Sequence, residues 1–590
     1  MKDLSGVCSA SGRFVHTFLY DTTLRGHYGF NMYDDYVKVS VDHPIRSSRR
    51  RGNITSRLNA WYKSKRRPPL DSGSSRTTKV GTISAAVVKN LRRYISDYVH
   101  LLIRNGHLDP QRALRKGRLP IVLHIDGKRE GYSGTRGEVF PILLHFPTAR
   151  RPGRHVAWLP IGVIIGSGSA AAWNRLFLEY GLGSDLTVLD HMTLNILNRP
   201  VLTDAIFLGD YAAIRILTRT SRSNIPFPCR NQDHRNGLDA EWFRCCPCAF
   251  CRATAFEVYE STNKPAMSTT PDVGGTLLHW PISKYFYGTM HAMMHLAGGF
   301  FGDVARLFDQ IWPKSPAAET VATIFVHPSV PQSEYTFDPL YKLADRKISR
   351  VKAQPTVYEA VFESEATWQH DMTTIRQICD DPTIQEQLRS KGVNLQRIPD
   401  AMDMVRALHF MWRSGPLNQP DPSTALSRME RLSNHIDCMW LSIVRVMLPP
   451  SSDVVPGPSY NANNSGRGIA SHVALQHLPR QQVRLGPLAP RLSEKGGENM
   501  NSFVSDIFNR YRLSRVPNKR VLPRILLEYL IMIIFGRVAS QKESTDIVNE
   551  CYSKKLKSLA VRRPIRKRWR GPGGKAIRKL PTYIFTTALS

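Results

Sequence analysis

The chain has 590 residues, 42% of them hydrophobic, and nine cysteines. That is ordinary for a soluble globular protein with room for several domains, and an odd, locally clustered thiol count argues against a secreted disulfide framework. Lys and Arg outnumber Asp and Glu by 81 to 48, for a formal charge of +33 and a pI near 10.0, which points to a polyanionic partner, nucleic acid first.

The charge is clustered. "SSRRRGN" and "YKSKRRPP" fall in the first seventy residues, and 554–579 holds twelve Lys or Arg with no acidic residue after Glu550. Such runs serve as phosphate-contacting arms or nuclear-import signals. The amino terminus lacks the charged head and apolar run of a signal peptide, and the most apolar stretch, "RILLEYLIMIIFGRVA" (524–539), is short and carries Glu528; it is expected as a core helix, with no membrane contact.

In chain order, 1–115 mixes basic and Gly/Ser-rich pieces such as "LDSGSSRTTKVGT" and ends in an amphipathic helix near 87–105, so it is expected as a basic, DNA-binding region. "LPIVLHID", "VFPILLHF" and "HVAWLPIGVIIG" come next as three apolar strands forming an antiparallel meander. "SAAAWNRLFLEYGLG" has helical period, and "VLTDAIFLGDYAAIRILTRT" reads as a strand running into a helix. This is the order of an RNase H-like α/β core, with its first part at 116–275. A mainly helical insertion and a Pro/Ser/Asn/Gly-rich linker, "PPSSDVVPGPSYNANNSGRG", fill 276–465. The core closes at 466–515, and 516–590 adds the apolar helix and a basic tail.

Two carboxylates sit where such a core can use them. Asp126 ends the first apolar strand with Gly127 behind it, and Asp210 ends "AIFLGD" with small residues following. Each is rigidly placed yet reachable by a hard cation such as Mg²⁺, which takes oxygen ligands and leaves positions for phosphate. Strand-end Asp residues also cap turns. "RCCPCAFCRA" concentrates four cysteines in seven positions; Cys248 and Cys251 have Cys-x-x-Cys metal spacing, as do Cys245 and Cys248, while Cys246 widens the choice. His291 and His295 stand at i, i+4 in "HAMMH", but no Glu follows His291 as a zinc-protease motif requires. They are expected as helix-packing residues, His291 with some claim on a metal site.

The ordered set "LHIDGKREGYSGTRGEVFPILLHF", "GDYAAIRILT" then "CCPCAFC", "PISKYFYGTMHAMMHLAGGFF", "SHVALQHLPRQQVRLGPL" and "KGGENMNSFVSD" resembles the DDE/D RNase H-like transposases of the CACTA (tnp2-type) family and, more distantly, Transib transposases and the RAG recombinase. The likeness covers roughly 118–510, with Gly288 where relatives carry an acidic residue before "MH" and Phe140 where they carry Trp. It implies a catalytic triad of Asp126, Asp210 and Glu498, with Glu494 as the runner-up, holding Mg²⁺ or Mn²⁺. It also implies a Zn²⁺ site of Cys248, Cys251, His472 and His477 bracing the segments either side of the insertion. Glu498 suits its role physically, since "GENMNSFVSDIFNRY" has helical spacing and puts the carboxylate on a first turn, where the helix dipole also favours an acid. The function implied is two-metal-ion cutting and joining of transposon ends in the nucleus, on paired DNA ends and hence as a homo-oligomer. The alternatives are a domesticated DNA-binding protein without the chemistry, and a nucleic-acid-packaging protein.

Overall fold

The computed structural model describes residues 81–220, 276–324, 362–447 and 467–504 apart from short gaps within them, the longest at 128–137, together with 43–45, 336–338, 350–352 and parts of 248–258. The expected core helix at 524–539, the basic tail, Cys245, Cys246 and most of 1–80 lie outside the described residues.

A mixed sheet forms the centre. It comprises β1 (His43–Ile45), β2 (Gly81–Val87), β3 (Arg118–Ile125), β4 (Glu138–His145), β5 (Trp158–Gly166), β6 (Thr193–Ile196), β7 (Arg199–Gly209) and β8 (Tyr285–Tyr287), in the spatial order β1-β2-β5-β4-β3-β7-β6, with β8 also on β7. β3, β4 and β5 are an antiparallel meander, as the three apolar runs predicted. All nine positions of β5 are buried, the continuous apolar pattern of a strand covered on both faces. β7 then pairs with β3 in parallel, Leu123 opposite Phe207, and β8 pairs with β7 in parallel, Phe207 opposite Tyr285. Three neighbouring parallel strands therefore end on the same side, the place where open α/β sheets bind ligands.

Helix α1 (Leu91–Arg104) lies on the meander, its Tyr94 and Tyr98 hydroxyls donating to the carbonyls of Pro160 and Val156 at 3.0 and 2.7 Å. The strand before it, β2, extends the sheet beside β5, so 81–104 packs into the same unit as the meander. The helix expected from 87 starts at Leu91, because Val87 completes β2.

Helix α2 (Tyr211–Leu217) follows β7 directly. A set of helices follows, α3 (Thr289–Ile311), α4 (Glu365–Cys379), α5 (Arg397–Ser414) and α6 (Ala425–Met447). Fully buried Asp303 of α3 takes the Trp440 indole N–H of α6 at 2.7 Å and pairs with Arg306, satisfying a carboxylate that would be costly if left alone. The chain returns through α7 (Ile469–His472), a π-helical turn (Val473–His477), α8 (Leu478–Leu485) and a 3₁₀ segment (Gly486–Arg491). That return covers the sheet: Leu485, Ala489 and Leu492 pack on Val122, Leu208 and Phe286, one residue from each parallel strand. Among the described residues, no helix is long and apolar enough to cross a membrane.

Candidate metal centres

Asp126 follows β3 and Asp210 follows β7, at the ends of paired parallel strands. Asp210 caps α2, its Oδ1 accepting from Ala213 N at 2.6 Å. Asp126 is fixed on both oxygens: Gly127 N donates to Oδ1 at 2.8 Å and Asn501 Nδ2 to Oδ2 at 3.2 Å. Glu498 arrives from the far end of the described chain among helical residues 496–498, 500 and 501. Gly496 and Gly497 permit this docking, because a Cβ at either would meet the Trp158 indole or the His124 ring at 2.4–2.9 Å. His291, on the first turn of α3, completes the group, and ligand atoms of Asp126, His291 and Glu498 all lie within 4.8 Å of one another. Asp210 stands outside that trio, although its charge and that of Asp126 act on each other.

The electrostatics come from crowding acids in a partly dry place. Burial pushes Glu498 up to about 9, assisted by its hydrogen bond to Asp126 and by the charges of Asp126 and Glu494. Burial and the Asp126 charge raise Asp210 to about 6. Asp126 moves down: burial opposes its ionisation but is outweighed by the Glu498 hydrogen bond and by His291 and His124. The Asp126 and Glu498 carboxyls therefore share a proton, the usual outcome for two acids in contact. Burial works against a charged His291, yet Glu494, Asp126 and Asp210 hold it protonated well above the usual histidine range.

Glu494, the runner-up in the sequence, has a different place. It is fully buried and accepts from Met290 N at 3.0 Å, from His291 N at 3.4 Å and, through Oε1, from His291 Nδ1 at 3.0 Å. It thus caps α3 from another segment, serving orphan N–H groups at the positive end of the helix. Gly288 is the N-cap residue, and a Cβ there would collide with the Glu494 carboxylate. A side chain at position 288 is thus excluded by the acid delivered from position 494. Sequence reasoning misses Asn501 and this supporting role of Glu494, though both were readable in principle, lying three and four residues from Glu498 where helical neighbours share a face.

The second centre gathers the cysteines. Cys248 Sγ is 3.4 Å from His477 Nε2 and Cys251 Sγ is 3.5 Å from His472 Nε2, with all four ligand atoms within 4.8 Å of one another. The S···N edge of a tetrahedron with metal–sulfur and metal–nitrogen bonds of about 2.3 and 2.05 Å is about 3.6 Å, so the donor set fits a Cys₂His₂ metal ion. The π-helical turn makes the histidine pair possible. Five residues of α-helix rotate by about 500°, leaving i and i+5 about 140° apart, whereas the wider π turn spans i to i+5. The result is a ring separation of 5.2 Å between His472 and His477. Phe250 N donates to Cys248 Sγ at 3.4 Å and Ala249 N to the Tyr211 hydroxyl at 3.0 Å, seating the cysteine loop on α2. Burial pushes the Cys248 thiol up, while the hydrogen bond from Cys248 and those from the two histidines bring the Cys251 thiol down.

No protein-family model matches the chain, and no curated protein matches it.

Proposed function

We propose that the chain is a DNA transposase of the DDE/D class with an RNase H-like core, cutting and joining transposon ends in the nucleus as an oligomer on paired DNA ends. The observation that carries this reading is the meeting of Asp126 and Glu498, whose ligand atoms lie within 4.8 Å of each other, with Asn501 of the segment carrying Glu498 donating to Asp126 across a sequence separation of 375. The strand order supports it, with a three-stranded meander followed by two parallel strands beyond its first strand. The net charge of +33 supports a DNA backbone as partner, with affinity falling steeply in salt.

When bound, a pair of Mg²⁺ or Mn²⁺ ions supplies activation of water or a 3′-hydroxyl and stabilises the departing oxygen. The residues themselves do the positioning. Asp126 stays ionised, its two oxygens aimed by Gly127 N and Asn501 Nδ2. Glu498 keeps the shared proton until divalent cations draw it off. Asp210 adds a third carboxylate from the adjacent strand end. Zn²⁺ on Cys248, Cys251, His472 and His477 would tie the loop after Asp210 to the segment that delivers Glu498, contributing on the order of 10 kcal/mol to the fold.

A second reading, a DNA-binding protein that has lost the chemistry, is favoured by one observation: Asp210 stands outside the tight trio and spends Oδ1 on capping α2. Incubation with linear DNA and Mg²⁺ or Mn²⁺ separates the two. The transposase reading expects cleavage or strand transfer, lowered at least 100-fold by Asp126→Asn or Glu498→Gln. Tight binding with no cleavage under any divalent ion would leave the second reading standing.

A further inference from the structure

We propose that His291 is itself a ligand of the acidic metal centre, oriented by Glu494, and that it tunes this centre toward Mn²⁺ over Mg²⁺. The inference deepens the proposed function, since it takes the acidic trio as a divalent-ion site.

Glu494 has no side-chain freedom. It is fully buried, it accepts two backbone N–H groups of α3, and Gly288 leaves it just enough space. Its Oε1 lies 3.0 Å from His291 Nδ1, so when the imidazolium gives up one proton to make room for an ion, the proton it keeps is the one on Nδ1, donated to this carboxylate. The Nε2 lone pair is then the free one. Nε2 faces the acids, 3.6 Å from Glu498 Oε1 and within 4.8 Å of the Asp126 ligand oxygen. Two ligands on one octahedral ion with bonds of about 2.1 Å lie about 3.0 Å apart when adjacent and about 4.2 Å apart when opposite. Small side-chain rotations close the trio onto one ion. A carboxylate that orients a histidine whose other nitrogen binds metal is a recurring support, and losing it typically costs 10–100-fold in affinity.

The chemistry of the donors sets the metal. Mg²⁺ takes oxygen ligands and gives up water reluctantly, whereas a mixed set of two carboxylates and an imidazole suits a later, softer divalent ion, Mn²⁺ being the nearest that also tolerates oxygen. The rigid His291–Glu494 pair cannot swing away to leave an all-oxygen set, because the same carboxylate caps the helix that carries the ring.

The test is pulsed electron paramagnetic resonance of Mn²⁺ bound to the zinc-loaded full chain, without DNA. The expected result is nitrogen modulation from one directly bound imidazole, lost in His291→Ala, with Mn²⁺ affinity lower by about 10- to 100-fold. Competition should show Mg²⁺ displacing Mn²⁺ only at high excess, an excess that shrinks by about the same factor in the variant. Retained zinc content reports that the variant is folded, and the wild-type spectrum alone decides the case if it is not. Mn²⁺ bound with no nitrogen coupling overturns this inference and leaves the transposase reading intact. No Mn²⁺ binding overturns both. Absence of DNA cleavage with the nitrogen coupling present overturns the transposase reading alone.

Discussion

Glu498 carries a proton to about pH 9 because burial and the neighbouring Asp126 charge both oppose a second negative charge. A divalent ion entering the trio must displace that proton, so binding and deprotonation are linked. Because Glu498 and the protonated His291 must both give up a proton to the ion, Mn²⁺ affinity should rise with pH from about 6 through about 9, with proton release detectable by titration calorimetry in buffers of different ionisation enthalpy. A flat affinity over that range would contradict the shared proton. The sign for stability is opposite. A carboxyl whose folded value is raised stabilises fully below its ordinary value near 4.5, and that contribution is lost as the pH climbs through about 9. The metal-free protein should therefore melt lower in base, and the ion should restore it. Asp126 and Asp210 were legible as strand-end acids backed by small residues. Glu498 needed the motif likeness, because a helix-start acid has a bland electrostatic explanation. The spacing put Glu494 on the same side as Glu498, but its partners, the helix N–H groups 203 and 204 positions away, gave no signal in the pattern.

At the level of elements, long apolar runs announced β3, β4, β5 and β7, while β2, β6 and β8 escaped. "GTISAAV" carries small residues beside a Gly/Ser-rich stretch, β6 has four residues and β8 only three. By pattern alone β8 merges with the helix that begins at Thr289, because "YFY" is as apolar as that helix and only pairing with β7 makes it a strand. The π-helical turn between His472 and His477 was invisible to a 3.6-residue period, yet it sets the metal geometry. Inserting one alanine after Ala474 would place the histidines six apart, about 240° round a helix. Such a protein should lose its zinc. Deleting Gln476 would place them four apart, about 40° round, and should keep it. Metal content by plasma emission spectrometry distinguishes the two, and zinc retained after insertion would sink this account of the turn.

Across the whole molecule, the two centres are coupled through one return path. The cysteine loop is seated on α2 by Tyr211. The same region is tied to α6 through Arg467, which donates to Val258 O at 2.9 Å and pairs with Asp437 at 3.0 Å. The histidines stand at the head of the segment that crosses the sheet and ends at Glu498. Stripping zinc with a chelator should therefore weaken Mn²⁺ binding at the acidic centre by about tenfold or more, although no ligand is shared. Mn²⁺ affinity unchanged in zinc-free protein would show the centres to be independent.

The glycine pair preceding Glu498 rests its backbone against Trp158, an indole that is wholly buried and stacked on His145 with ring centres 4.3 Å apart. Among the described residues its Nε1 has no hydrogen-bond partner, and a Cβ at Gly496 would sit 2.4 Å from it. Lifting that stretch would change the polarity around this ring before it disturbed the strands below. With the other nine of the ten tryptophans replaced, the emission colour of this ring would gauge whether the final carboxylate is seated or has come away.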